Sequence, residues 1–151
     1  MAETEWRWRE FEALQPRELH DLLKLRCDTF VVEQRCAFPE IDGKDPEATH
    51  LLCLAGPALA GCLRVFGPDA TEPAARIGRL AIAPDHRGTG LGHAMMREAI
   101  AFCEGRFPGA GIVLSAQSHL QAFYARHGFR PEGEPYLEDG IPHVDMRRSG
   151  A

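Results

Sequence analysis

The stretch RLAIAPDHRGTGLGHAMM, Arg79 to Met96, sets Gly88, Gly90 and Gly92 between an apolar run and a helix-like run. A strand that ends, turns through glycines and enters a helix leaves backbone N–H groups unpaired at the positive end of that helix, which makes an anion site. A Cβ at any of these glycines would hold a bulky diphosphate off the backbone, and a turn with positive φ favours glycine. Arg87 adds a charged clamp, and Thr89 and Leu91 complete the loop. The spacing fits neither G-x-x-x-x-G-K-[ST] nor G-x-G-x-x-G. The competing reading is a flexible helix-start turn that holds no ligand.

The segment RGTGLG resembles the R/Q-x-x-G-x-G/A motif of the GCN5-related N-acetyltransferases, with Arg87, Gly90 and Gly92 at its defining positions. A second segment, QSHLQAFYARHGF, is similar to that family's N-x-x-A-x-x-x-Y-x-x-x-G-F, with Tyr124, Gly128 and Phe129 in register. Gln117 stands where asparagine is usual and Leu120 where alanine is usual. LRCDTFVVEQRCAFPEIDGKD, SAQSHLQAFY and EDGIPHVDM narrow the resemblance to the ElaA-type subgroup.

The resemblance implies binding of acetyl-CoA as co-substrate, with the loop amides on its pyrophosphate, and direct transfer of the acetyl group to a primary amine. It also implies that the main chain of Leu80, Ala81 and Ile82 serves the oxyanion and the cofactor arm, that Gln117 lies along the pantetheine, and that Tyr124 is the general acid. A phenol of ordinary pKa about 10 keeps its proton at neutral pH. The five cysteines sit in no nucleophile motif, so no acyl-enzyme is expected. For the base, Glu33, His50, His119 and His143 are the candidates, with a water relay as the alternative. Asp42, Asp45, Glu138 and Asp139 admit two readings, an acidic rim for a cationic amine or plain loop formers, the second being preferred. His20, His86, His93 and His127 read as surface or helix-end residues, and no metal site is expected.

Two rival readings share the glycine loop. Arg26, Phe30, Asp42, Asp45 and Arg64 are similar in order to a motif set of acyl-homoserine-lactone synthases, a related fold. A non-catalytic CoA-binding module would keep the glycines without needing Tyr124.

The elements that must position these residues follow from periodicity. Trp6 and Trp8 alternate with charges, as in a strand with one covered face. Pro16 opens a helical pattern that runs to Gln34 through Leu19, Leu22, Leu23, Cys27 and Phe30. RCAFPEIDGKDPEATH is a long polar loop. HLLCLA and LAGCLRVFG read as a hairpin, and RIGRLAIA as a strand stopped by Pro84. A helix over 91–104 turns Met95, Met96, Ala99, Ile100 and Cys103 inward. GIVLSA is a strand covered on both sides, SHLQAFYARHGF a short helix capped at Gly128, and the tail two strands joined at 138–140. Together these predict one α/β domain over 1–151, with a mixed, mostly antiparallel sheet of about six or seven strands and helices on both faces. The resemblance makes the glycine-loop strand and GIVLSA parallel and splayed, which opens a slot for the pantetheine.

Composition limits the classes that remain. The 151 residues are 44% hydrophobic and 26% charged, enough for one full core. A net charge of −5 and a pI near 5.8 argue against a nucleic-acid surface and favour a cationic partner. The odd cysteine count without C-x-x-C reads as reduced, buried thiols, with a Cys53–Cys62 bridge as the alternative. MAETEWRWREFEAL lacks the apolar core of a signal peptide, and no run spans a membrane, so a cytoplasmic protein is expected. Its partner is then a small-molecule or peptide amine, and the family resemblance implies a homodimer.

Overall fold

Proline at the first helical position and a reciprocal cap between Gln15 and Glu18 start the first helix, α1 (Pro16–Cys27). The computed structural model describes residues 4–150. Its strands are β1 (Thr4–Glu10), β2 (Thr49–Ala55), β3 (Ala58–Phe66), β4 (Ala75–Ile82), β5 (Ile112–Gln117), β6 (Arg130–Glu138) and β7 (Ile141–Arg148), and its other helices are α2 (Leu91–Arg106) and α3 (Gln121–Ala125). The strands form a mixed seven-stranded sheet in the order β1-β2-β3-β4-β5-β7-β6. The β4–β5 pair is parallel, through Ala75 opposite Ile112 and Arg76 opposite Val113.

The chain divides into two compact units. The first comprises the described residues up to Arg64 together with Arg79–Met95. Here β1 runs antiparallel to β2 in unbroken register from Thr4 opposite Ala55 to Glu10 opposite Thr49. Its core joins Leu22 and Leu25 of α1 to Leu52, Cys62 and Ala81 of β2, β3 and β4, with Leu19, Leu23 and Phe30 packed at its margin. Each fully covered leucine of that set contributes about 1.5–3 kcal/mol. β1 does not alternate as expected, because residues 6–9 are all half-buried.

The helical pattern expected through Gln34 changes pitch partway. After Cys27 it winds as a π-turn over Asp28–Glu33, with Gln34 N–H donating to the Thr29 carbonyl and Cys36 N–H to that of Val31. Such single π-turns concentrate at functional segments.

The second unit comprises Val65–Gly78 and the residues from Met96 on. β7 pairs antiparallel with both β5 and β6, and the β6–β7 turn carries positive φ at Asp139 (51°) and Gly140 (78°), as a type I′ hairpin requires. The segment expected as one helix before Gly128 is a 3-10 turn over Ser118–Leu120 followed by α3. It closes as a Schellman motif, with Gly128 (φ 88°) N–H on the Ala125 carbonyl and Phe129 N–H on that of Tyr124. The inner face expected of α2 is buried, from Met95 to Cys103.

All five cysteines are free, so no Cys53–Cys62 bridge forms. Cys53, Cys62 and Cys103 are buried, whereas Cys27 and Cys36 are half-buried, which corrects the expectation for those two.

Candidate active site

In the first unit, β4 runs through Leu80, Ala81 and Ile82 into a 3-10 turn at Pro84–His86 and then the glycine loop. Gly88 (φ 74°) and Gly90 (φ 85°) both take the left-handed backbone that only glycine adopts without strain. A Cβ built at either meets nothing within 4 Å, so the loop opens on free space. Thr89 Oγ1 donates to the His86 carbonyl at 2.7 Å and closes the loop from within. Helix α2 begins immediately after, Ala94 N–H bonding back to Gly90 at 3.1 Å. Leu91 and Gly92 lie in its first turn, whose amides have no acceptor inside the helix. These features fit a diphosphate.

Arg87 is not a loose clamp. Its Nε donates to the Ile82 carbonyl at 2.9 Å, and its two terminal nitrogens fork onto Glu33 at 2.7 and 2.8 Å. The fork holds the Glu33 carboxyl below its ordinary range. Each Glu33 oxygen therefore accepts from Arg87.

The loop between α1 and β2 corrects the sequence reading most. Arg26 of α1 is fully buried; its Nε donates to Glu40 Oε2 at 2.7 Å and its Nη1 to Asp45 Oδ1 at 2.8 Å. Arg64 of β3 donates to Asp45 Oδ1 at 2.9 Å and to Asp42 Oδ2 at 2.6 Å. Arg79 of β4 donates to Glu40 Oε2 at 3.0 Å and stacks over Phe38 at 5.6 Å. Asp42 and Asp45 thus face arginines, not an acceptor amine, and the acidic-rim reading is withdrawn for both.

Arg64 holds the Asp42 carboxyl far below its ordinary range. For Asp45, burial pushes upward, but Arg26 and Arg64 outweigh it and the net shift is down. His50, buried beside the cluster, donates Nε2–H to the Asp45 carbonyl at 3.0 Å and is kept neutral by burial, so it is structural. Arg79 itself sits at φ 54°, a left-handed residue inside a strand that costs about 1–2 kcal/mol for a non-glycine. The ion pairs to Glu40 and Asp42 hold it there, immediately before Leu80–Ile82.

In the second unit, Tyr124 projects from α3 and is buried against Phe129, ring centroids 6.2 Å apart and edge to face. Burial pushes its phenol up to about 12. Gln117 at the end of β5 lies opposite His143 of β7, and His143 lies opposite Tyr136 of β6, so the three form one row across the sheet. His143 Nδ1–H donates to the Ile141 carbonyl at 2.7 Å, which leaves Nε2 as the accepting nitrogen, 3.5 Å from Glu138. The Tyr136 and His143 rings are stacked, and the Tyr136 hydroxyl donates to Asp145 at 2.6 Å and also bonds Ser115.

Sequence reasoning missed Tyr136, Asp145 and Ser115. The signal was the HVD spacing, which puts His143 and Asp145 on one face of a strand. The β-bulge between Glu132 and Tyr136 that lets Tyr136 reach Asp145 has no such signal. His119 is exposed, and Asp139 serves the turn.

The profile of the acetyltransferase (GNAT) domain matches residues 19–149. Protein ElaA of Escherichia coli is 37% identical over 146 residues, 95% of each chain, and its crystal structure superposes with a TM-score of 0.92 over 97% of this chain and 100% of that one. An acyl-CoA N-acyltransferase from Pseudomonas aeruginosa superposes at 0.93 with 40% identity, covering 97% of this chain and 100% of its own. The AHL synthase LasI, at 15% identity and a TM-score of 0.81 over 99% of this chain and 91% of its own, shares the fold alone. The order of residues resembling those synthases is accounted for by packing: Arg26, Asp42, Asp45 and Arg64 bind one another, and Phe30 covers the core beside them.

Proposed function

Because this chain belongs to the GNAT acetyltransferase family, as an ElaA-like acyltransferase, we propose that it carries an acetyl group from acetyl-CoA directly to a primary amine. The observation that carries this reading is the glycine loop: two left-handed glycines, open space before them and the N-terminus of a long helix behind. The loop amides from Gly88 to Gly92 take the pyrophosphate, and the main chain of Leu80–Ile82 takes the thioester oxygen as it gains charge. Acetyl-CoA supplies an activated acyl carbon. Amine nitrogen forms the new C–N bond as the C–S bond breaks, the ammonium's protons leave through the base, and Tyr124 donates a hydrogen bond to the departing sulfur.

His143 is the base of this reading, through Nε2, and Gln117 beside it contacts the pantetheine arm. An acyl-enzyme on a buried cysteine is disfavoured, since burial raises the thiols of Cys53 to about 11 and of Cys62 and Cys103 to about 12.

Titration calorimetry with acetyl-CoA, followed by thiol release in the presence of polyamines, aminoglycosides and lysine peptides, tests the proposal; no binding would overturn it. Gly90→Asp should weaken acetyl-CoA about ten- to a hundredfold, because it adds left-handed strain and places a carboxylate at the helix's positive end. Undiminished affinity would remove the loop from the site. Glu33→Gln should leave the shape of the pH–rate profile unchanged, since Arg87 already holds that carboxylate ionised. A lost acid limb in that variant would restore Glu33 as the base.

A further inference from the structure

Among the described residues, three that are not glycine carry positive φ: Arg35 (52°), Arg79 (54°) and Asp139 (51°). Arg35 lies just beyond the π-turn and Asp139 belongs to the β6–β7 turn. Arg79 alone of the three lies within a strand, β4. Gly78 precedes it, has open space where a Cβ would stand, and is not left-handed. Glycine would take that conformation without strain, yet the bend falls on the arginine. A strained residue persists only where its surroundings hold it, and such residues collect at functional sites.

The side chain provides the hold. Arg79 Nε donates to Glu40 Oε2 at 3.0 Å, its Nη2 donates to Asp42 Oδ2 at 3.4 Å, and its guanidinium lies over Phe38, 5.6 Å from the ring centre. All three partners belong to one loop, residues 38–42, which is fixed in turn: Glu40 is 3% exposed and bound to Arg26, and Asp42 is bound to Arg64. Downstream the chain is pinned a second time. Ala81 is buried in the core, Ala83 N–H donates to the Ala60 carbonyl at 2.8 Å, and the Ile82 carbonyl accepts from Arg87. The run Leu80–Ile82 is therefore clamped between a bend at one end and β3 at the other. In an extended strand successive N–H groups face opposite edges, and a left-handed residue breaks that alternation and re-aims the groups that follow.

We propose that Arg79 is a positioning residue for acyl transfer: the 38–42 loop grips its side chain, the grip holds the bend, and the bend aims the main-chain N–H groups of Leu80–Ile82 at the thioester oxygen. This rests on the acetyl-CoA reading, which assigns that run to the oxygen. To that reading it adds a side chain that acts through the backbone, and a polar loop whose ion pairs set the direction of the donors.

Arg79→Ala and Arg79→Gly remove the same ion pairs, but only glycine keeps a left-handed bend without strain. In both variants Glu40 retains Arg26 and Asp42 retains Arg64, so both fold. The readouts are calorimetry with acetyl-CoA and the carbon-13 resonance of the thioester carbonyl in bound, carbonyl-labelled acetyl-CoA, which moves downfield as donors polarise it and needs no acceptor. In the wild type the bound resonance should lie downfield of free acetyl-CoA. Arg79→Ala should lose about half or more of that displacement while binding acetyl-CoA within about threefold of wild type, and Arg79→Gly should regain most of it. Equal loss in the two variants would overturn the bend as the cause. An undiminished displacement in Arg79→Ala, or none in a wild type that binds acetyl-CoA, would overturn the positioning role and leave the acetyl-CoA reading standing. A wild type that binds no acetyl-CoA would overturn that reading, and this role with it.

Discussion

Replacing Arg26 by methionine is expected to lower the melting temperature by about 10 °C, a loss of about 3–5 kcal/mol at roughly 2–4 °C per kcal/mol for a chain of this size. The guanidinium is 1% exposed and its hydrogen bonds reach both Glu40 and Asp45, which are themselves 3% and 4% exposed. Methionine fills much of the volume but leaves two buried carboxylates facing an apolar chain. One Glu40 oxygen, Oε1, is already buried without a partner among the described residues, so the cluster has little reserve.

Acid titration separates lost charge from lost packing. Asp42 and Asp45 are depressed in the folded protein, so their contribution is complete above the ordinary aspartate value of about 3.9 and is lost as pH falls through the lower folded values. His50, also depressed, adds a loss that begins below about 6.5. In the Arg26 variant, protonation of Asp45 removes the charge that has lost its partner. The gap between wild type and variant should therefore narrow below about pH 4. A gap that stays constant down to pH 3, measured by thermal melts, would mean that Arg26 acts by packing alone.

That cluster also marks where the sequence stops being readable. The glycine loop was legible because its requirements are local: positive φ, absent side chains and a following helix all fall within a few residues. The close of α3 was legible for the same reason, since Gly128 marks the left-handed cap of its Schellman turn, whereas the role of Tyr124 rests on the family resemblance. The pairing of Arg26 with Asp45 spans 19 positions and that of Arg79 with Glu40 spans 39, and nothing in either neighbourhood announces the other. The acidic loop consequently read as a set of turn formers, when Asp45 is in fact the hub of two arginines. Arg79 gave no warning of its left-handed backbone because arginine has no preference for one. The π-turn over Asp28–Glu33 preserved enough of the helical apolar spacing to pass for continued α-helix.

Tyr124→Phe is expected to reduce kcat by about ten- to a thousandfold while leaving the melting temperature and the KM for acetyl-CoA nearly unchanged. The ring is 9% exposed and its packing on Phe129 survives the change. The hydroxyl has no hydrogen-bond partner among the described residues, so its removal breaks no structural bond.

Burial also defines what this phenol does. With its pKa near 12, complete proton transfer to a thiolate of ordinary value near 8.5 would run uphill by roughly 4–5 kcal/mol. On the proposed reading Tyr124 donates a hydrogen bond to sulfur as charge develops there, and the proton that finally neutralises the thiolate comes from the nitrogen once the neutral amine has attacked, or from water. Two consequences follow for the pH profile. Tyr124 stays protonated below about pH 11, so an alkaline limb near pH 9 belongs to another group and persists in the phenylalanine variant at reduced amplitude. A limb that vanishes with the hydroxyl would show that the phenol ionises during turnover, and an unchanged kcat would remove Tyr124 from the reaction altogether.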